Sequence, residues 1–175
     1  MNYFEIFELP VQYALDAEAL KRTYIKKSRQ YHPDYFIHAS EEEQAMALQK
    51  SSELNQALKV LLDPDTRLKY ILQIAGVLEE EEKYSLDRVF LMEVMDINEQ
   101  LMELEMEADP SMAENIKKQT HALLDESYQD VATMLEAPKA VDFTQEALLQ
   151  LKGYYFKKKY LQRILDKIDG VLPPM

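Results

Sequence analysis

A proline four positions from a basic helical pattern constrains this chain more than anything else in it. The segment from Asp16 to Tyr31 has helical spacing, with Leu20, Tyr24 and Tyr31 on one side. At Tyr31-His32-Pro33-Asp34 it must stop. Pro33 has no N–H for a helical ladder, and its ring pushes His32 toward an extended backbone. A histidine and a carboxylate are therefore expected on an exposed connection at the end of a positively charged helix. Functional groups concentrate on such connections when rigid elements hold them.

The flanks of that stop read as helices. Residues 2–9 form a short helix or turn closed by Pro10, and Asp16 is placed to cap a helix over 17–31. Arg22, Lys26 and Arg29 recur at spacings of four and three, so they share one exposed stripe, with Lys21 and Lys27 beside it. Next to the loop, that stripe reads as a docking surface for an acidic partner; simple solvation is the ordinary alternative. Ser40-Glu41-Glu42-Glu43 is a capping-box signature opening a third helix to about Leu62. Met46, Ala47, Leu54, Ala57, Leu58 and Leu61 are expected inside it. Helices two and three should form an antiparallel pair. Asp63-Pro64 ends the pair, and a fourth helix over about 65–75 should stop at Gly76.

The remainder divides by charge. The chain has 175 residues and a net charge of −12, and residues 76–109 alone hold two basic and twelve acidic side chains. Within that stretch Val77 to Tyr84 reads as a linker kept solvated by the repulsion of four consecutive glutamates. Three long helical patterns follow, about 85–108, 112–136 and 144–169. Ser85 is placed to cap the first and Asp109-Pro110 to break it. Pro138 follows the second; Gly170 follows the third, with Pro173-Pro174 beyond. Gly153 lies inside the last helix, and close approach of another helix is one reason for it. The expected boundaries are 1–75, 76–84 and 85–175.

The pattern over 85–108 has two apolar faces. Leu86, Phe90, Val94, Ile97, Leu101 and Leu104 form a narrow stripe with spacing near seven, suited to a left-handed antiparallel bundle. Ile116, Leu123, Leu124 and Val131 answer it from the second helix, and Leu151, Tyr154, Leu161, Leu165 and Ile168 from the third. The other face holds Leu91, Met92, Met95, Met102 and Met106, with Asp96, Glu99 and Glu103 within or beside it. A three-helix bundle needs one buried stripe per helix. A second stripe rich in methionine and edged by acids reads as an adaptable partner surface. Packing against another helix is the ordinary alternative.

Composition removes whole classes of function. There are no cysteines, so disulfides, thiolate metal sites and a cysteine nucleophile are excluded. Three histidines, none in a Glu-x-x-His pair, do not furnish a di-iron bundle. The acidic balance argues against nucleic acid and anionic membrane. No apolar run approaches the ~20 residues of a membrane span. With neither a secretory signal nor an Arg-rich transit pattern, a cytoplasmic location is the simplest expectation.

The tripeptide His32-Pro33-Asp34 is a weak signal alone, but it has company. Upstream stands Asn2-Tyr3-Phe4-Glu5-Ile6-Phe7-Glu8-Leu9-Pro10; downstream stand Asn55-Gln56-Ala57, Leu61-Leu62-Asp63-Pro64, Arg67 and Tyr70. Together these resemble the J-domain of DnaJ-type co-chaperones. With Phe36, Tyr70-Ile71-Leu72 and Phe90-Leu91-Met92-Glu93, the whole chain resembles the HscB family, the J-type co-chaperones of iron–sulfur cluster biogenesis. The resemblance implies an all-α protein, a J-domain followed by a C-terminal three-helix bundle, which is not itself an enzyme. It implies that His32, Pro33, Asp34, Arg22, Lys26, Lys27 and Arg29 engage an HscA or DnaK-type chaperone and stimulate its ATPase. It also implies that the bundle binds the scaffold protein IscU and delivers it to that chaperone.

The scaffold positions carry over onto Leu91, Met92, Met95, Asp96, Glu99 and Glu103, the face that periodicity picks out separately. Met95 and Asp96 stand where the family often has Leu and Glu. An aromatic of the third bundle helix belongs to the same surface, with Tyr155 the leading candidate and Phe156 the alternative. Some eukaryotic relatives carry a cysteine-based zinc site; this chain has no cysteine, so neither metal nor cofactor is expected. Two other readings compete. His32 and Asp34 as an enzymatic acid–base pair would stand without nucleophile, metal ligands or phosphate loop. A general J-domain adaptor for other clients would lack the Gly/Phe-rich and cysteine-rich regions of general DnaJ proteins.

Overall fold

The computed structural model describes residues 1–137 and 143–172; the expected terminators Pro138, Pro173 and Pro174 lie outside them. Among the described residues every regular element is helical. The chain forms two compact units, one built on Met1–Gly76 and one that starts with Val77–Met134 and includes the helix after Thr144.

In the first unit, α1 (Tyr3–Ile6), α2 (Ala17–Gln30) and α4 (Pro64–Ile74) all pack on the central α3 (Glu41–Leu62). The caps explain the boundaries. Asn2 and Glu5 close a capping box on α1, and Ser40 and Glu43 close another on α3. The Asp16 side chain accepts from Glu18 and Ala19 N–H at the start of α2. Asp63 ends α3 and caps α4, with Pro64 at a first-turn position where no N–H is needed. Gly76 has φ 73°, the left-handed conformation that a helix-ending glycine supplies. Phe4, Leu20, Ala47, Leu54, Ala57, Leu61, Leu68, Ile71 and Leu72 are buried. Met46 is not: one position from the buried Ala47, it turns about 100° off the inward face and is exposed. Leu58 is half-buried.

Three polar contacts lock this unit. The Tyr24 hydroxyl donates to Asn55 Oδ1 at 2.7 Å, tying α2 to α3. The Tyr70 hydroxyl accepts from Tyr3 N–H at 2.9 Å, and the two rings stack at 4.5 Å. Arg67 is buried. It donates to the carbonyls of Leu61 at 2.6 Å and Leu62 at 3.2 Å, at the open end of α3, and to Tyr13 O at 2.6 Å, in the segment before α2.

In the second unit, α5 (Arg88–Glu93) and α6 (Met95–Met106) form the first arm, α7 (Pro110–Gln129) the second and α9 (Gln145–Val171) the third, with a one-turn α8 (Ala132–Leu135) after α7. Lys117, early in α7, pairs with Asp169, late in α9, at 2.8 Å, as antiparallel neighbours must. Phe90, Val94, Ile97, Leu101 and Leu104 are buried against Ala113, Ile116, Leu161, Ile164, Leu165 and Ile168. Leu86, Leu123 and Leu124 are partly buried on that cluster. Val131, Leu151 and Tyr154 are also buried. Ala113, Leu148 and Ile164 are buried as well, beyond the residues that periodicity assigns to the core.

Several boundaries differ from expectation. The cap of the first arm is Asp87, not Ser85: Asp87 Oδ1 accepts from Phe90 N–H at 2.9 Å. The arm bends at Val94, whose N–H is shared between Phe90 and Met92 carbonyls. Asp109-Pro110 both ends α6 and starts α7, Asp109 capping Ser111 N–H. The second helix ends at Gln129 rather than near 136. The third runs through Gly170 to Val171, because a glycine need not leave the helix where nothing demands a positive φ.

The expected solvated linker is half right. Glu79, Glu80 and Glu81 are exposed, but Leu78 is buried. Glu82 pairs with Lys152 of α9, and Tyr84 lies flat on Phe156 at 4.3 Å. A local ion pair and a ring stack offset the repulsion of the glutamate run. Gly153 lies beneath that stack. A Cβ there would meet only the Tyr84 hydroxyl, at 3.5 Å, so close helix approach is not its reason.

Two stability outcomes follow. Arg67→Met removes a charged donor from three carbonyls and should cost the first unit about 2–4 kcal/mol. Urea unfolding, followed on amide signals of residues 1–76, measures it; an unchanged midpoint would show that the carbonyls find water instead. Gly153→Ala should stabilise the second unit by up to about 1 kcal/mol, the helix-propensity difference, read on amide signals of α9. A loss would mean that Tyr84 cannot give way.

Candidate functional site

The first candidate surface is the end of α2. Tyr31 caps the helix, its N–H donating to Ser28 O at 3.3 Å. His32 is extended, φ −65° and ψ 129°, as the following proline requires. The chain then makes one tight 3₁₀ turn, Pro33–Phe36, which the sequence reading left as an irregular loop. His32 caps that turn: Asp34 N–H donates to its Nδ1 at 3.3 Å. In a neutral ring the proton then sits on Nε2. Asp34 Oδ2 stands 3.5 Å from the same Nδ1, so one nitrogen serves either the backbone N–H or, when protonated, the carboxylate. The side chains are 55% and 77% exposed. The tripeptide is thus a pre-shaped, solvent-facing turn.

The cationic stripe beside it is narrower than expected. Arg22, Lys26 and Arg29 are exposed, with no carboxylate in ion-pair distance among the described residues. Lys21 pairs with Glu18 at 3.0 Å. Lys27 is half-buried and pairs with Glu8 at 2.7 Å, and that bond holds the Glu8 carboxyl below its ordinary range. Lys27 therefore fastens α2 to the segment after α1, while Arg22, Lys26 and Arg29 face solvent. Lys50, 5.7 Å over the Tyr31 ring, steadies the end of the helix.

The second candidate surface is the outer face of α5 and α6. Leu91, Met92, Met95, Met102 and Met106 are 45–89% exposed. Asp96, Glu99 and Glu103 are exposed as well, with no cation in ion-pair distance among the described residues. The opposite face of the same helices is the core. Methionine chains are unbranched and polarizable, and a row of them with carboxylates adapts to an apolar surface carrying positive charge.

The aromatic expected beside this face is Tyr155, with Phe156 as the alternative. Tyr155 is half-buried on α9, edge-on to Phe156 at 5.1 Å and under Lys159. Phe156 is covered by Tyr84. Tyr160 of α9, which carries no mark in the sequence pattern, reaches the first arm. Its ring meets Phe90 edge-on at 5.8 Å, and its hydroxyl accepts from the Asn98 amide at 2.7 Å. Lys157, one turn away, pairs with Asp87 at 3.2 Å and lies 5.4 Å over Phe90. The Phe90 N–H, and then Lys157, hold the Asp87 carboxyl below its ordinary range. Asp87, Phe90 and Asn98 are thereby bolted to Lys157 and Tyr160, which holds the methionine face rigid. Tyr160 lies three residues from Lys157 and four from the core residue Ile164. No group of three or more histidine, cysteine or carboxylate side chains suited to a metal occurs among the described residues.

Both units match known proteins. Residues 2–70 match the DnaJ domain model, and residues 86–169 match the model described as the HSCB C-terminal oligomerisation domain. The structure is similar to that of chaperone HscB from Vibrio cholerae, with 28% identity and a TM-score of 0.69 over 98% of this chain and 97% of that one. It is also similar to human co-chaperone protein HscB, with 29% identity and a TM-score of 0.74 over 97% of this chain and 81% of that one.

The two faces of α5–α6 should respond oppositely to truncation. Ile97→Ala or Leu101→Ala leaves a core cavity and should cost about 2–5 kcal/mol. Leu91, Met92 and Met95 changed together to alanine should leave the melting temperature within a few degrees, because their side chains already face water. Thermal melts of the three proteins decide it. A triple variant melting far below the wild type would place that face in the core.

Proposed function

The chain belongs to the HscB family of J-type co-chaperones of iron–sulfur cluster assembly, and on that premise we propose that it stimulates an HscA/DnaK-type ATPase and delivers an IscU-type scaffold protein to it. The J-domain implies an Hsp70-type chaperone as one partner. The family is generally non-enzymatic, and the residues fit that role: the chain supplies contact surfaces, and the ATPase supplies the reaction. Among the described residues no helix is long and apolar enough to cross a membrane.

The observation that carries the proposal is one open contact surface on each unit. In the first, His32, Pro33 and Asp34 form a fixed turn at the end of a helix whose exposed Arg22, Lys26 and Arg29 have no carboxylate in ion-pair distance among the described residues. A rigid turn engages without a large ordering cost. The three cations steer an acidic chaperone surface toward it. In the second, Leu91, Met92 and Met95 anchor the scaffold, and Asp96, Glu99 and Glu103 set its register against positive charge. The ATPase contact and the scaffold contact thus draw on separate residues, and each can be removed alone.

His32→Gln and Asp34→Asn should each abolish stimulation of the chaperone ATPase without lowering the melting temperature. Either variant stimulating normally would remove the turn from the mechanism. Charge reversal at Arg22 and Lys26 should raise the co-chaperone concentration needed for half-maximal stimulation. The wild-type requirement should rise with salt, since exposed charges are screened beyond about 10 Å at 0.1 M. Requirements that ignore both reversal and salt would exclude electrostatic docking. The Leu91/Met92/Met95 triple alanine variant should bind scaffold at least tenfold more weakly, about 1.4 kcal/mol, in calorimetric titration. Its stimulation measured without scaffold should be intact. Unchanged scaffold affinity would move the site elsewhere on the bundle.

A further inference from the structure

One apolar concavity in the first unit has no part in the proposal above. It lies between the His-Pro-Asp turn and α3. Pro33, Asp34, Phe36, Ile37, Gln44 and Leu48 line a groove of about 360 Å³. Ile37 is 64% exposed and Leu48 63% exposed. Single exposed apolar residues are ordinary on any surface. Ile37 and Leu48, on different segments, line one concavity together with Asp34.

The groove is held in shape. Gln44, one turn before Leu48 on α3, donates its amide N–H to Ala39 O at 3.0 Å and to Ile37 O at 3.4 Å. The adjoining Ser40–Glu43 capping box fixes the start of α3. The connection from the turn into α3 is thus clamped to the helix. A fixed groove binds without first being ordered, which lowers the cost of association. Nothing internal requires Leu48 to be apolar, because the inward residues of α3 are Ala47, Leu54, Ala57 and Leu61.

We infer that this groove receives an aliphatic side chain of the Hsp70-type chaperone, extending the docking surface from the His-Pro-Asp turn onto α3. The inference rests on the co-chaperone reading, and it commits to that occupant by continuity: Pro33 and Asp34 belong to both the turn and the groove. A chaperone surface that meets Asp34 cannot avoid what lies beside it. The chemistry expected of the inserted segment is a leucine, isoleucine, valine or methionine next to an N–H donor or cation within reach of the Asp34 carboxylate. The groove adds a desolvated apolar contact to an interface otherwise made of charges. Burial in such pockets, rather than exposed charge, dominates the lifetime of complexes.

The test is stimulation of a purified HscA/DnaK-type ATPase, titrated with the full-length chain. Ile37→Ser with Leu48→Ser should raise the half-maximal concentration at least tenfold and leave the melting temperature within a few degrees. Stimulation at saturation should remain, because His32 and Asp34 are unaltered. Leu48→Met should keep wild-type behaviour, as a volume-conserving apolar exchange does. The tenfold ratio between wild type and double variant should be the same at low and high salt, unlike that of the Arg22 and Lys26 reversal. Leu149→Ser, at an exposed apolar position of the second unit, should change nothing.

A double variant with the wild-type half-maximal concentration, tested where wild type stimulates and His32→Gln does not, overturns the groove and leaves the co-chaperone reading standing. A ratio that collapses with salt overturns the apolar contact in favour of an electrostatic one. A wild-type chain that leaves the ATPase rate unchanged overturns the co-chaperone reading, and the groove with it.

Discussion

The guanidinium of Arg67 is what the first unit is hung on. A helix leaves its last carbonyls without partners. At the end of α3 two of them, Leu61 and Leu62, are met by one buried cation, where the helix dipole also favours positive charge. The same group reaches Tyr13 O, 54 residues away in the chain. The turn between α3 and α4 and the approach to α2 therefore share one fastening. Burial lowers the Arg67 pKa from its ordinary value, yet an arginine has ample margin to stay charged. A lysine offers no planar fork to span three carbonyls. Because α2 carries the cations and ends in His32, the geometry of the contact surface depends on a residue that takes no part in contact.

The second unit solves the opposite problem, leaving a face uncovered. One helical run supplies both the core and the open surface, so the core side must be secured independently. The zipper of Asp87, Phe90 and Asn98 against Lys157 and Tyr160 does this, together with the Glu82–Lys152 and Tyr84–Phe156 contacts. These carboxylates are held below their ordinary range by N–H and ammonium partners. Stabilisation from depressed carboxyls is present above their unfolded pKa values and lost as pH falls through the folded ones. The fastening is therefore complete at neutral pH and weakens only in acid.

Most of this could be read from residues alone, for identifiable reasons. Helix existence and the buried stripe of the first arm come from periodicity, which depends only on which side chains avoid water. Caps at Asp16 and Ser40 come from local chemistry and stand where expected. The failures are those of competition. Ser85 and Asp87 are both capping residues, and the choice fell to Asp87, which Lys157 also engages through tertiary contact. The linker glutamates repel, but one lysine on α9 captures Glu82. Lys27 shares a stripe with three exposed cations and is taken by Glu8. Tyr160 carries no local mark in the sequence, because its contacts to Phe90 and Asn98 exist only once the neighbouring helix is in place. In each case the deciding partner lies far away in sequence.

The places where local rules are broken without internal compensation then gain meaning. Asp96, Glu99 and Glu103 stand three and four residues apart on one helix, where like charges cost a few tenths of a kcal/mol per pair. Four exposed methionines beside them, Met92, Met95, Met102 and Met106, make no contribution to the core. Ile37 and Leu48 face water although polar residues would serve the fold as well. Elsewhere the chain is consistent: capped helices, a buried stripe and paired surface ions. A sequence tends to violate its own local preferences where another requirement is imposed. Here the violations gather on two surfaces, the outer face of α5–α6 and the rim of the His-Pro-Asp turn. Residues on these two surfaces add little to the core of either unit.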